Sequence, residues 1–164
     1  MSALSQLRLK EVLQYNPATG AFTWIAKASK KTVIGSLAGC QTGAGYIVIG
    51  IDGRIYYAHQ LAYLYMTGSW VERVDHRDCD GFNNRWTNLR PATSQQNALN
   101  ARRASSNTSG FKGVSWHKAA GKWAAHIILH GRKRHLGLFI NPADAHAAYI
   151  SAAMSAQPDF ARAS

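Results

Sequence analysis

The stretch VDHRDCDGFNNRWTNLRPATSQQN, residues 74–97, decides the fold that we predict for the centre of this chain. It opens with a short strand candidate, and turn-forming residues follow between Asp78 and Asn84. The chain can then return as a second strand from Arg85 to Arg90. Thr93 and Gln96 have the spacing of a capping box, which predicts a helix start with Asn97 in the first turn. The residues therefore predict a strand, a loop, a strand and a helix.

Charge is distributed unevenly along the chain. The formal net charge is +11, and no Asp or Glu occurs between Gly81 and Ala143. That window contains Arg85, Arg90, Arg102, Arg103, Lys112, Lys118, Lys122, Arg132, Lys133 and Arg134. So many cations suit a polyphosphate backbone, which makes double-stranded DNA the predicted partner. A merely solvated surface is the alternative, although solubility does not require the absence of carboxylates over so long a stretch.

Polar side chains of residues 74–97 predict a hydrolytic centre. Carboxylate and amide oxygens are hard donors that suit Mg²⁺ or Mn²⁺, so Asp75 and Asn97 are the predicted ligands of one ion. His76 is the predicted general base, because an imidazole accepts a proton near neutral pH. Such groups can activate water and balance the charge that develops during phosphodiester cleavage. The alternative is an Asp-His pair in a turn, with Asn88 and Asn97 merely at a strand end and a helix start.

The order and spacing of these residues resemble the HNH motif of phage-type homing and free-standing endonucleases. The resemblance rests on Val74-Asp75-His76, Asn83-Asn84-Arg85-Trp86-Thr87-Asn88-Leu89, Ala92-Thr93 and Asn97. It implies a ββα-metal (His-Me finger) module in which Asp75 and Asn97 bind the cation and His76 is the base. It also implies that Asn88 orients the loop after His76 through hydrogen bonds. The last motif position is Asn97 rather than His, a variant that the phage-type branch commonly has.

His59 matches a histidine that often precedes this motif, although the family frequently has Arg where this chain has Gln60. His59 could contact phosphate or support the hairpin before it. Its position beside an apolar helix favours the supporting role.

Residues 1–70 are predicted to support the nuclease module. A short helix is expected to present one apolar face formed by Leu4, Leu7, Val12 and Leu13. The run from Phe22 to Trp24 is typical of a strand, and a loop follows over residues 27–45. The run from Tyr46 to Ala58 predicts a hairpin with Asp52-Gly53 as its turn. A helix from His59 to Met66, ending at Gly68, completes this region.

Small polar residues at 104–110 predict a linker between a nuclease core at 71–103 and a third stretch at 111–164. The third stretch predicts three strands and a helix from Pro142 to Ala156. The helix is expected to cover an apolar face formed by Val114, Trp116, Trp123, Ala125, Ile127, Leu129, Leu136 and Leu138, with both tryptophans in the core. The predicted fold class is α+β, with the ββα-metal module followed by a three-stranded antiparallel sheet packed on one helix.

The opposite face of these strands is polar and basic, and such a sheet can enter a major groove. Residues 109–156 resemble the APETALA2-type DNA-binding domain at Gly110-Phe111-Lys112-Gly113-Val114, Gly121-Lys122-Trp123-Ala124-Ala125, Leu136-Gly137 and Ala145 to Ala153. That family reads DNA largely through Arg and Trp, so its base preference is not carried over to this chain. The predicted DNA contacts are Arg102, Arg103, Lys112, Ser115, His117, Lys122, His126, Arg132, Lys133 and His135. A small α+β domain with merely solubilising charges is the alternative.

Other classes of protein are less compatible with the sequence. No segment reaches the roughly 18 to 20 uninterrupted apolar residues of a membrane span, and residues 1–10 lack the apolar core of a signal peptide. Cys40 and Cys79 form no Cys-x-x-Cys pair, so reduced thiols are expected. We therefore expect a cytoplasmic protein, in the bacterial host if it is phage-encoded. It should be a monomer or weak dimer without membrane contact or a small-molecule cofactor.

The sequence thus predicts a divalent-metal-dependent HNH endonuclease that hydrolyses phosphodiester bonds of double-stranded DNA. One motif per chain implies that one strand is cut at a time. A nick by a monomer and a double-strand break by a dimer or by successive nicking are both compatible with this motif. The alternative is a non-catalytic DNA-binding or regulatory protein. A protein-binding adaptor has little support, because no amphipathic partner helix stands out.

Overall fold

Small antiparallel sheets and short helices alternate along the chain in the computed structural model, which describes residues 4–162. Four α-helices and ten strands occur in this part of the chain. Spatial contacts divide the chain into two compact units, Met1–Ala92 and Thr93–Ser164. The predicted mixture of helices and antiparallel sheets is confirmed. The ββα-metal arrangement and the module boundaries after residues 70, 103 and 110 stay predictions.

The first unit begins with helix α1, Gln6–Val12, followed by the antiparallel strands β1, Leu13–Tyr15, and β2, Phe22–Trp24. The hydroxyl of Ser5 caps α1 by accepting a hydrogen bond from the Arg8 N–H at 3.1 Å. The predicted apolar face was wrong at Leu7, which is 73% exposed, whereas Leu9 is buried. The helix ends at Val12, so Leu13 is buried as a strand residue and not through the helical period.

A three-stranded sheet and a helix follow in the first unit. The strands are β3, Cys40–Gln41, β4, Ile47–Ile51, and β5, Arg54–Tyr57, in the order β3-β4-β5. The predicted hairpin is confirmed, with positive φ angles of 50° at Asp52 and 78° at Gly53. Helix α2, Ala58–Thr67, is one residue longer at each end than the predicted helix, and Gly68 caps it as predicted. β3 was missed within the predicted loop, because two residues are too few to show a strand alternation.

Strands β6, Val74–His76, and β7, Leu89–Pro91, form an antiparallel pair. The pair is anchored because Val74 and Leu89 belong to the apolar core that contains Leu9, Leu13, Phe22, Ile49, Ile51, Leu61 and Leu64. Burying each large apolar side chain contributes roughly 1.5 to 3 kcal/mol. The predicted return strand from Arg85 was wrong at its start, since Trp86–Asn88 is a 3₁₀ turn and the ladder begins only at Leu89.

The second unit starts with helix α3, Ser94–Asn100, and its predicted capping box is confirmed. The Thr93 hydroxyl accepts a hydrogen bond from the Gln96 N–H at 3.2 Å, and the Gln96 side chain accepts one from the Thr93 N–H at 2.8 Å. These bonds satisfy backbone donors that a helix start leaves without intrahelical partners. They fix where α3 begins and therefore where Asn97 lies on it.

A three-stranded antiparallel sheet packed on one helix forms the rest of the second unit, as predicted. Its strands are β8, Val114–His117, β9, Lys122–Leu129, and β10, Arg132–Phe139, in the order β10-β9-β8. Helix α4, Pro142–Ala156, is capped by Asn141, whose side chain accepts a hydrogen bond from the Ala143 N–H at 2.8 Å. The small side chain of Ala145 lets α4 approach Val114 and Ala125 closely in the core.

Two predicted core positions of this sheet were wrong. Trp116 is 53% exposed, although its ring contacts Trp123 at 5.0 Å between centroids, because it lies outside the core cluster beneath α4. Leu138 is 41% exposed and lies opposite Ala124, on the face away from the core. A register irregularity between His135 and Gly137 moves Leu138 to that face. None of the helices within residues 4–162 has the length and apolarity needed to span a bilayer.

Candidate active site and nucleic-acid interface

The β6–β7 ladder places Asp75 and His76 at successive positions. Asp75 lies opposite Arg90, and His76 lies opposite Leu89. Both polar side chains are almost completely buried, at 4% and 6% exposure. Because neighbouring strand residues point to opposite faces, the carboxylate and the imidazole have separate surroundings.

Asp75 is engaged in a buried ion pair with Arg90. Its Oδ2 accepts hydrogen bonds from Nε and Nη2 of Arg90, both at 2.8 Å. Each side chain is less than one-tenth exposed, so removal of either partner would break a buried ion pair. Sequence reasoning placed Arg90 in the basic window and at the end of the predicted return strand, but not as the partner of Asp75. The missed signal was a charged residue in a short strand that is expected to pair with the strand containing Asp75.

The imidazole of His76 is held by Asn84. Nε2 of His76 lies 3.1 Å from Oδ1 of Asn84, and Asn84 is itself only 1% exposed. Nδ2 of Asn84 donates to the Phe82 carbonyl at 3.3 Å, and the Asn84 carbonyl accepts a hydrogen bond from the Tyr15 hydroxyl at 2.6 Å. With the amide oxygen facing the ring, Nε2 carries the proton in the neutral imidazole and the lone pair lies on Nδ1. Sequence reasoning placed Asn84 among the turn formers and in the HNH-like motif, but assigned it no contact with His76.

Asn88 makes hydrogen bonds to the loop that follows His76. Its side chain donates to Asp78 Oδ1 at 2.9 Å and to the Asn83 carbonyl at 2.8 Å, and it accepts from the Asp78 N–H at 3.1 Å. The Asn88 carbonyl accepts from the Arg77 N–H at 2.9 Å. These bonds connect Asn88 to the loop after His76, and its orienting role stays a prediction.

Asp78 is the acceptor at the centre of the same loop. Its carboxylate accepts hydrogen bonds from the Asp80 N–H, from Asn83 and from Asn88 at 2.9, 2.6 and 2.9 Å. Burial by itself would raise the pKa of Asp78, but these hydrogen bonds and the nearby His76 hold it below its ordinary value. An ionised Asp78 therefore keeps the loop closed near neutral pH.

His59 lies against His76, at the start of α2. The two rings meet edge to face with centroids 4.9 Å apart, and His59 also stacks on Tyr57 at 5.3 Å. His59 is 8% exposed, and its Nδ1 has no hydrogen-bond partner within the described residues. Burial, and to a smaller extent the charge of His76, lower the pKa of His59 to about 3. A buried, neutral ring favours the supporting role over phosphate contact.

Asn97, the second predicted metal ligand, lies half-buried on α3 in the second unit. The donor chemistry of Asp75 and Asn97 fits Mg²⁺ or Mn²⁺. A cation on Asp75 would share that carboxylate with Arg90, which already donates to Oδ2. Within residues 4–162, no group of three or more His, Cys, Asp or Glu side chains is arranged to hold a metal ion.

The strand register places many of the predicted DNA contacts on one face of the second unit's sheet. His117 pairs with Lys122 and His126 with His135, while the core side of the sheet is covered by α4. We call this the outer face, formed by Ser115, His117, Lys122, His126, Lys133 and His135. Arg132 lies opposite the buried Leu129 and does not share it. Burial first, and then the charges of Lys133 and His135, lower the pKa of His126.

Three of the predicted DNA contacts precede the sheet in sequence, namely Arg102, Arg103 and Lys112. Two of them, Arg103 and Lys112, donate hydrogen bonds to backbone carbonyls. The Lys112 ammonium donates to the carbonyls of Leu99 and Ala101, both at 2.6 Å. Arg103 donates to the Asn107 carbonyl at 3.2 Å. Apart from Arg132, the predicted DNA contacts therefore divide into the outer face and a separate group before β8.

Comparison with known proteins gives a match to the segment that contains the candidate active site around Asp75 and His76. Residues 56–99 match a family model described as HNH endonuclease. Protein 3.8 of Escherichia phage T7 is 37% identical over 60 residues, which is 37% of this chain and 50% of that protein. The chain thus spans about half the length of the curated relative that it matches. No solved structure gives a significant match.

Residues 56–99 are therefore an HNH endonuclease-like domain, and the predicted HNH resemblance is confirmed to this extent. The matched segment contains His59, Asp75, His76, Asn88 and Asn97. The APETALA2-type resemblance lies outside it and stays a prediction.

Proposed function

We propose that this protein is a divalent-metal-dependent endonuclease that nicks double-stranded DNA. The observation that carries the proposal is the geometry at His76, whose ring is fixed by Asn84 and whose following loop is fixed by Asn88. This geometry occurs inside the HNH endonuclease-like segment. A buried base held in one tautomer is positioned for proton transfer before substrate arrives.

His76 accepts a proton from water through Nδ1 as the water oxygen attacks phosphorus. The bond between phosphorus and the 3′ oxygen breaks, and that oxygen takes up a proton from solvent water, which leaves a 3′-hydroxyl and a 5′-phosphate. Asn84 holds the opposite nitrogen of the ring, so the imidazolium that forms keeps its orientation. Asn88 keeps the loop after His76 in place during this change.

Asp75 and Asn97 are the proposed metal ligands. A bound Mg²⁺ or Mn²⁺ supplies charge stabilisation at the phosphate and at the leaving oxygen. Arg90 holds the carboxylate of Asp75 in position through the buried ion pair. The outer face of the second unit binds the duplex, with its lysines neutralising phosphates.

A non-catalytic DNA-binding protein is the second candidate, favoured by the Asp75–Arg90 ion pair. A carboxylate that is already paired with arginine can serve folding alone. In that case the His76 network would only stabilise the loop.

Supercoiled plasmid with Mg²⁺ or Mn²⁺ distinguishes the two candidates. Wild-type protein should convert it to the nicked circle before linear DNA accumulates, and chelation should stop the reaction. His76→Gln retains a side chain that can bond to Asn84 but cannot take the proton, so it should lose at least about a hundredfold in rate. Asn97→Ala should be similarly impaired, and both variants should keep wild-type DNA affinity.

His130→Asn is the matched control, because His130 is exposed in a hairpin turn and its positive φ of 51° suits Asn. This variant should cut like the wild type. Equal cutting by the wild type and His76→Gln would refute the site. Absence of cutting by folded, DNA-bound wild-type protein with either ion would favour the non-catalytic candidate.

A further inference from the structure

A basic pocket lies within the second unit, apart from the outer face of its sheet. The cavity of about 630 Å³ is lined by Arg102, Arg103, Phe111, Lys112, His146 and Arg162, among others. None of its lining residues is Asp or Glu. Pockets of roughly 300 to 1,000 Å³ accommodate small organic ligands. Its size and charge therefore fit an organic anion.

The pocket is held in shape by contacts between its lining residues and their neighbours. Nδ1 of His146, on α4, lies 3.0 Å from the Lys112 carbonyl. The Lys112 ammonium donates to two carbonyls at the end of α3, so Lys112 acts as a positioning residue. Arg102 and Arg103 follow directly after that helix end. Residues distant in sequence are thus joined in one wall.

Aromatic rings form the apolar part of the wall. The rings of Phe111 and His146 are 5.3 Å apart, and His146 stacks on Tyr149 with centroids 5.9 Å apart. Arginine side chains bind phosphate through several N–H groups, and aromatic rings stack on nucleobases. A ligand that satisfies both halves of the wall has a phosphate and a planar base.

The pocket and the outer face belong to different sides of the sheet. His146 lies on α4, which packs against the side that contains Val114 and Ala125. The outer face is the opposite side, as the pairing of His117 with Lys122 and of His126 with His135 shows. A duplex docked on the outer face therefore leaves the pocket for a different part of the nucleic acid.

We propose that this pocket binds one nucleotide of a DNA single strand, with its phosphate held by Arg102, Arg103 and Arg162 and its base against Phe111. The proposal extends the DNA-binding part of the proposed function and is independent of cleavage. A free nucleotide has the same chemistry, and the length of the probe separates the two sources.

The test is an NMR titration of the full ¹⁵N-labelled chain in EDTA, which excludes metal-dependent cutting. The probes are a 5′-phosphorylated tetrathymidylate strand, thymidine 5′-monophosphate and inorganic phosphate. The strand should shift the amide signals of residues 110–112 and 146 more than those of the outer face. It should bind more tightly than the mononucleotide, and the mononucleotide more tightly than phosphate.

Arginine variants test the phosphate contacts. Arg102→Gln and Arg162→Gln should each weaken strand binding about tenfold, because each loses a charge-assisted hydrogen bond. Arg134→Gln is the matched control, since it removes the same charge from an exposed position on β10 outside the pocket. It should change the affinity by less than about twofold by the same argument. Phe111→Leu keeps apolar bulk without a ring and should also weaken the strand about tenfold.

Shifts confined to the outer face, or equal affinity of the strand and inorganic phosphate, would overturn the nucleotide site. Equal affinity of the strand and the mononucleotide would overturn the assignment to a strand. If Arg162→Gln loses its folded spectrum, Arg102→Gln decides, because Arg102 is exposed. Unchanged affinity of Arg102→Gln would refute the phosphate contact. Loss of plasmid cutting by itself has no bearing on these results, so the two proposals fail separately.

Discussion

Acid should destabilise the first unit through His59. Burial lowers the pKa of His59 to about 3, whereas its ordinary value is 6.5. The unfolded chain therefore binds the proton more readily than the folded chain. The contribution of His59 to stability is full above about pH 6.5 and falls as the pH decreases towards about 3. The two pKa values give a loss of about 2 kcal/mol at pH 5 and about 3 kcal/mol at pH 4.

His59→Phe isolates this contribution, because phenylalanine keeps a ring against His76 and Tyr57 but cannot be protonated. The free energy of unfolding should therefore fall by about 3 kcal/mol less in this variant than in the wild type between pH 7 and pH 4. Urea unfolding monitored by tryptophan fluorescence measures, for each protein, the slope of the free energy of unfolding against pH. Hydrogen exchange with mass spectrometry assigns the change to peptides of the first unit.

The contribution of Asp78 to acid sensitivity cancels when the slopes of the wild type and His59→Phe are compared, because its lowered pKa affects both proteins alike. It also removes any constant effect of the larger ring on packing. His130→Asn alters an exposed histidine and should keep the wild-type slope. Equal slopes for His59→Phe and the wild type would show that His59 is not a buried neutral ring and would refute the reasoning.

Three further predictions concern charge. Arg90→Met should lower the free energy of unfolding of the first unit by about 3 to 5 kcal/mol in urea, because Asp75 loses its buried partner; a loss below about 1 kcal/mol would contradict this. Lys122→Gln and Lys133→Gln should each reduce the slope of log affinity against log salt for duplex binding by about 1, as measured by fluorescence anisotropy; unchanged slopes would exclude phosphate contact. Duplex affinity should rise when the pH falls below 6.5 and His126 gains charge, because burial first, and then Lys133 and His135, hold the pKa of His126 below that ordinary value; a flat profile would contradict this.

Local signals predicted most elements of the fold. Asp52-Gly53 can take the positive φ angles of a tight hairpin turn, so the turn follows from two residues. Thr93 and Gln96 bond to each other's backbone and define the start of α3. Pro142 after Asn141 defines the start of α4 in the same way. In each case, the determining interactions lie within a few residues.

The partners of the site residues could not be predicted in the same way. Arg90 meets Asp75 only through the register of β6 and β7, which depends on where the 3₁₀ turn ends. Asn84 meets His76 through the shape of an irregular loop. Leu138 lies on the face of the sheet opposite to the predicted one, because one irregularity in register exchanges the two faces for every later residue of β10. The alternation of apolar and polar residues in the sequence does not show where such a shift in register occurs.

The Asp75–Arg90 pair has a consequence for the role of metal in folding. Structural metal sites stabilise proteins whose ligands would otherwise be unpaired or repel one another, and such proteins unfold on chelation. Here the arginine already compensates the charge of the carboxylate, and Val74 and Leu89 anchor the two strands in the apolar core. We therefore expect the first unit to fold without a divalent ion.

Circular dichroism in EDTA should show a cooperative thermal transition and the same near-ultraviolet spectrum as in Mg²⁺. Added ion should raise the transition temperature only through mass action on the folded state, to an extent that depends on its concentration. The same samples should cut plasmid only when the ion is present. Loss of the near-ultraviolet signal in EDTA would mean that Arg90 does not replace the ion in folding. A protein that stays folded but cuts only with metal would assign the ion to catalysis and Arg90 to the stability of the strand pair.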